Sequence, residues 1–146
     1  MSNTKIEINN LTSFAVDRKA FSTVAKIVLK GENKETKTIS LAFVSKEEIQ
    51  KLNKNFRKKN KPTDVLSFAL ADLPVQSEKG YLGEIVICPD VAKENAKKYK
   101  NSVKKEVMKI FIHGILHLLG YDHEKSEKEA LLMEEKQEKY LSKVFK

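Results

Sequence analysis

Apolar and polar positions alternate near the start of the chain, with Ile6 and Ile8 on one side of residues 5–9, which predicts a short strand. Asp17 stands at an N-cap position. Phe21, Val24, Ala25, Val28 and Leu29 follow at helical spacing, and Gly31 closes the predicted helix. Residues 36–44 alternate again, with Ile39, Leu41 and Phe43 facing one way, the pattern of a half-buried strand. Ser45 and Glu48 have capping-box spacing. Ile49, Leu52 and Phe56 then mark the buried face of a second helix that ends near Arg57. Pro62 stops any helix, and residues 63–68 read as a strand with Val65 buried. Residues 71–80, interrupted by Pro74 and Gly80, predict an exposed loop. Residues 82–88 form a nearly continuous apolar run, which suits a central strand.

Three helices follow. Pro89 and Asp90 open one that carries Val91, Ala92, Asn95, Ala96 and Tyr99. Ser102 caps the next, whose buried face is Val103, Val107, Ile110, Phe111, Ile115 and Leu118. Residues 124–146 are highly charged. Leu132, Met133, Tyr140, Leu141 and Val144 give them the apolar stripe of a terminal helix lying on the rest. This order predicts an α+β fold: a small mixed sheet of about four strands packed with about five helices. The chain, residues 1–146, reads as one domain with neither repeat nor linker.

Charge adds a partner class. The chain has 28 Lys and Arg against 20 Asp and Glu, a net charge of +8, which suits a polyanion such as nucleic acid. No signal peptide and no apolar run of membrane-spanning length are evident, so a cytoplasmic setting is expected. The single cysteine, Cys88, rules out an internal disulfide framework and any multi-Cys zinc site, and its expected role is that of a small buried residue.

The candidate chemistry lies in residues 113–123, His-Gly-Ile-Leu-His-Leu-Leu-Gly-Tyr-Asp-His, which hold all three histidines of the protein. His113 and His117 are four apart, on one face of a helix. Gly120 can end the helix in a left-handed conformation, so that His123 returns as a third ligand. Three imidazoles leave a tetrahedral zinc with an open position, the pattern of a catalytic rather than a structural site. The metal site is thus expected on a helix of the C-terminal half and the turn after it. The spacing is that of metzincin-type zinc peptidases, but their general-base Glu after the first His is here Gly114.

The stretch 113–123 resembles the signature of the bacterial YbeY family. Two more stretches agree with it: Leu52-Asn-Lys-Asn-Phe-Arg57 followed by Pro62-Thr-Asp-Val-Leu-Ser-Phe68, and Leu82-Gly-Glu-Ile-Val-Ile-Cys-Pro89. The resemblance covers about the C-terminal two thirds of the chain, and in that family a Gly after the first His is the rule. It implies a zinc-dependent, single-strand-specific endoribonuclease acting in ribosomal RNA processing (16S 3′-end maturation) and ribosome quality control, with RNA and the ribosome as partners. It implies zinc on His113, His117 and His123, and catalysis carried by Arg57 together with His117. Glu84 stands where many members carry Asp, a swap that keeps the charge.

The residues support roles on that reading. Arg57 can pair with a phosphate through its planar fork, and Lys58, Lys59 and Lys61 extend a basic surface along an RNA backbone. Asp122 and Glu84 are candidates for holding a ligand imidazole or handling a proton, and Asp122 can equally shape the turn before His123. Tyr121 is expected to pack. Two alternatives remain open: a zinc peptidase-like hydrolase, favoured by histidine spacing alone, and a non-catalytic RNA- or ribosome-binding module. The latter needs a structural metal with a fourth protein ligand, for which Asp122, Cys88 or a glutamate could serve. Zinc suits the ligands, and nickel or cobalt would also fit.

Overall fold

The computed structural model describes residues 6–70 and 80–145. Its elements are β1 (Ile6–Asn10), α1 (Arg18–Gly31), β2 (Thr38–Phe43), α2 (Lys46–Arg57), β3 (Val65–Ala69), β4 (Tyr81–Ile87), α3 (Pro89–Lys98), α4 (Val103–Leu118) and α5 (Glu127–Val144). The fold is α+β, with a mixed four-stranded sheet in the order β1-β2-β4-β3. β1 pairs parallel with β2, and β2 with β4, while β3 runs antiparallel to β4 at the sheet edge. The apolar run of residues 82–88 therefore supplies an interior strand. Of the loop expected over residues 71–80, all but Gly80 lies outside the described residues.

The caps act as their residue types dictate. Asp17, Ser45, Ser102 and Ser126 each accept a backbone N–H from the first turn of α1, α2, α4 and α5 respectively. Sheet alternation then sorts the core into two clusters. Ile39, Leu41, Phe43, Ile85 and Ile87 face α1, α4 and α5, and with Phe21, Phe111, Ile115 and Tyr140 form the larger one. Ala42, Val44, Leu66, Val86 and Cys88 face the other way, onto Ile49 of α2. Cys88 is fully buried there, and burial pushes its thiol pKa up, so it is a packed residue.

Four sequence expectations shift. Phe56, in the last turn of α2, is 61% exposed, and its ring meets Phe68 of edge strand β3 edge-on at 5.3 Å. Tyr99 is 55% exposed, since α3 ends at Lys98 and leaves it as the cap residue, and Leu132 of α5 is 41% exposed. Gly31 does end α1, but the left-handed residue is Asn33 (φ 59°). Glycine is needed at 31 for space: a Cβ there would lie 2.5 Å from Tyr140 Oη.

Helix α4 is the central helix. It packs on β3, β4, α1, α3 and α5, and it approaches the sheet closely at Gly114, where a Cβ would lie 2.9 Å from Ile85 Cγ2. Position 114 thus faces the sheet. A glutamate there would point into the core, so the peptidase base has no place in this geometry. Gly114→Ala is expected to cost about 1–3 kcal/mol through overpacking. A lowered urea midpoint with an unchanged slope checks this; an unchanged midpoint would show that Ile85 yields freely.

Candidate metal centre

His113 and His117 stand one turn apart on α4 and are partly buried. The helix then ends in a Schellman motif. The Tyr121 N–H donates to the Leu116 carbonyl at 3.1 Å and the Gly120 N–H to the His117 carbonyl at 3.0 Å. Gly120 takes φ 103°, the conformation its lack of a side chain permits. The turn brings the exposed His123 back to the other two. The three ring centroids lie 4.8, 5.3 and 5.1 Å apart. One potential ligand atom from each histidine lies within 4.8 Å of the others, so the three can hold a metal ion.

The protonation states suit that use. Burial lowers the His113 pKa. Burial, then the neighbouring His113 and His123, bring His117 down to about 4, and the Arg57 charge adds to the effect. Neutral imidazoles are the metal-ligating form. His113 Nδ1 lies 2.9 Å from Gln137 Oε1 of α5. The amide oxygen accepts, so Nδ1 carries the proton and Nε2 turns its lone pair to the cage.

A pH effect on the metal-free protein follows, and its sign can be worked out. The unfolded chain protonates His117 near pH 6.5, whereas the folded chain holds off the proton to about 4. The unfolded state therefore binds more protons across that window, and the stability contributed by this histidine falls as pH drops through it. The melting temperature of the metal-free protein should fall more between pH 7 and pH 5 than that of His117→Asn. Parallel losses would contradict the assignment.

Other predicted residues are placed as follows. Arg57, the last residue of α2, is exposed, and its Nη2 donates to the Ser67 carbonyl of edge strand β3 at 2.8 Å. Ser67 in turn donates to the Gly114 carbonyl at 3.4 Å, so Arg57 is tied to the backbone beside the histidines. Lys58, Lys59 and Lys61 are exposed in the turn after it, with Lys58 left-handed (φ 61°). Asp122 Oδ1 accepts the Glu124 N–H at 2.9 Å, a turn-forming bond, while its charge favours a proton on His117. Glu84 is not brought to the cage. Its neighbour Ile85 faces α4, so Glu84 points to the opposite side of the sheet, beside Phe68 and Ser40, and burial raises its pKa. Cys88 lies on that same far side, and the metal-capable group among the described residues consists of the three histidines.

Sequence reasoning passed over two supports. Gln137 follows Met133 by four residues and precedes Tyr140 by three, so it sits on the inner face of α5, a position its spacing could have revealed. Glu32 was not legible. Its carboxylate, just past α1, accepts from Tyr121 Oη at 2.5 Å, from Tyr140 Oη, and from Lys136 Nζ at 3.1 Å. Burial alone would raise its pKa, but these donors outweigh it and hold Glu32 low. Tyr121 therefore anchors the histidine turn to α1 and α5 as well as packing.

The family profile described as Endoribonuclease YbeY matches residues 4–145. An Endoribonuclease YbeY from Thermosipho melanesiensis is 39% identical over 135 residues, covering 92% of this chain and 93% of its own. One from Thermotoga petrophila is 44% identical over 107 residues, covering 73% and 67%. A solution structure of a Thermotoga maritima protein aligns with a TM-score of 0.65 at 36% identity, over 97% of this chain and 89% of that one.

Proposed function

The chain belongs to the endoribonuclease YbeY family, and on that premise we propose that it is a zinc-dependent, single-strand-specific endoribonuclease. We assign it to ribosomal RNA processing in the cytoplasm (16S 3′-end maturation) and to ribosome quality control through association with the ribosome. In this reading residues 1–146 act as one catalytic domain. The carrying observation is the convergence of three imidazoles beside a backbone-tethered arginine, on a chain of net charge +8. No helix of the described residues is long and apolar enough to cross a membrane.

His113, His117 and His123 would hold the ion, which would supply Lewis-acid chemistry there. Arg57 holds a phosphate oxygen of the scissile bond, and its bond to the Ser67 carbonyl orients the guanidinium beforehand. Lys58, Lys59 and Lys61 receive the flanking phosphates. Asp122 shapes the turn that delivers His123. Glu84, on the far side of the sheet, is left outside the machinery.

The peptidase alternative lacks a base, because position 114 faces the sheet. The structural-metal alternative lacks a fourth ligand in the cluster among the described residues. A labelled single-stranded RNA and casein, each incubated with zinc-loaded protein, separate the three. Cleavage of RNA with intact casein supports the proposal; digested casein, or bound metal with both substrates intact, overturns it.

Gln137 makes a further expected effect. Gln137→Leu removes the acceptor that fixes the His113 ring, and zinc affinity should fall about 10–100-fold in a chelator competition. Gln137→Glu, which keeps an acceptor oxygen, should retain it. Equal affinity in all three proteins would show that the ring needs no such partner.

A further inference from the structure

A cleft of about 540 Å³ opens beside His113 and His123 and runs outward to Tyr99. It is lined by Asp64, just before β3, Asn95 of α3, Tyr99 just past the end of α3, Lys109 of α4, and Glu134 and Glu138 of α5. Tyr99 stands out in this setting. Its ring is 55% exposed, so packing does not explain it. The ammonium groups of Lys98 and Lys109 each lie over its ring, 5.4 Å from the centroid, so the aromatic face already attracts cations. Deeper in, Asn95 Nδ2 donates to Asp64 Oδ2 at 3.3 Å, an amide and a carboxylate with further bonding capacity.

We propose that this cleft is a nucleobase subsite for the single-stranded substrate. One base displaces an ammonium from the Tyr99 face and stacks there, its polar edge meets Asp64 and Asn95, and its own phosphate takes up Lys98 and Lys109. The adjoining phosphate is thereby led to the histidines. Charge decides which part of the nucleotide enters. The carboxylates of Asp64, Glu134 and Glu138 repel a phosphate from the interior, whereas the N–H groups of a base can donate to them. Base stacking on an exposed aromatic with flanking cations is the general way single strands are held without strict sequence demand. The inference rests on the proposed ribonuclease function.

The chain contains no tryptophan, which makes a direct test possible. Tyr99→Trp places a single indole in the protein. Metal-free Tyr99→Trp is titrated with an oligocytidylate carrying a 5′ label, and indole emission is read alongside label anisotropy. Quenching that saturates with the same midpoint as the anisotropy is expected. In steady-state cleavage by the zinc-loaded protein, Tyr99→Ala should raise KM about tenfold with a much smaller change in kcat, and Tyr99→Phe should restore KM. If RNA is bound and cut in an Arg57-dependent way while the indole is undisturbed and KM is unmoved, the subsite is overturned and the ribonuclease reading stands. If no RNA is bound or cut, the reading beneath fails and takes the subsite with it.

Discussion

His117→Ala should leave a folded protein that neither holds zinc at micromolar concentration nor cuts RNA. His117 is the histidine closest to both others, with ring separations of 4.8 and 5.1 Å, so its removal leaves the two ligands that lie farthest apart. Losing an outer partner of a metal ligand costs roughly 10–100-fold in affinity, and losing the ligand itself should cost more. The thermodynamic consequence is separable from catalysis. At a metal concentration a hundredfold above its dissociation constant, zinc should stabilise the wild type by about 2.7 kcal/mol, and this increment should vanish in the variant. Without metal, the two proteins should melt within a few degrees of one another at pH 7. Thermal unfolding with and without zinc, beside an RNA cleavage assay, checks all three statements. A variant that cuts RNA at the wild-type rate would remove His117 from the site.

Arg57→Ala should lower kcat about 10²–10³-fold, the usual cost of deleting one donor aimed at a developing oxyanion. Zinc affinity should hold, because Arg57 touches the Ser67 carbonyl rather than a histidine. Stability should change by no more than about 0.5 kcal/mol, since the side chain is exposed and water can take over the Ser67 carbonyl. Arg57→Lys should not rescue: an ammonium keeps the charge but loses the fork that can hold a carbonyl and a phosphate oxygen together. Metal binding by calorimetry and single-turnover cleavage separate the two effects. A lysine variant with full activity would mean that Arg57 contributes charge alone.

The elements that position the site were legible because local rules sufficed for them. Capping serines and Asp17, the periodicity of Val107, Ile110, Phe111 and Ile115, and the alternation of Ile39, Leu41 and Phe43 all match the observed burial. The histidine turn was legible for the same reason, since Gly120 and a helix end dictate a Schellman return. What could not be read depends on contacts distant in sequence. Glu32 meets Tyr121 and Tyr140 across 89 and 108 residues, and Gln137 meets His113 across 24. Periodicity also overstated burial at Phe56, which meets only the edge strand, and carried α3 one residue too far, to Tyr99. Glu84 shows the converse limit. Its place in a family-like motif drew attention to its charge, but strand alternation sends it to the side of the sheet away from α4.

On the proposed function, one metal ion held by His113, His117 and His123 makes this chain cut RNA. The measurement that bears on it most directly is a titration of metal-stripped protein with zinc, reading the cleavage rate of a labelled single-stranded RNA at each addition. No cleavage is expected at the start, then a linear rise that breaks at one zinc per chain. His117→Ala should show no rise over the same range. Cleavage by the stripped protein at the full rate, or full zinc binding with the RNA left intact, would contradict it.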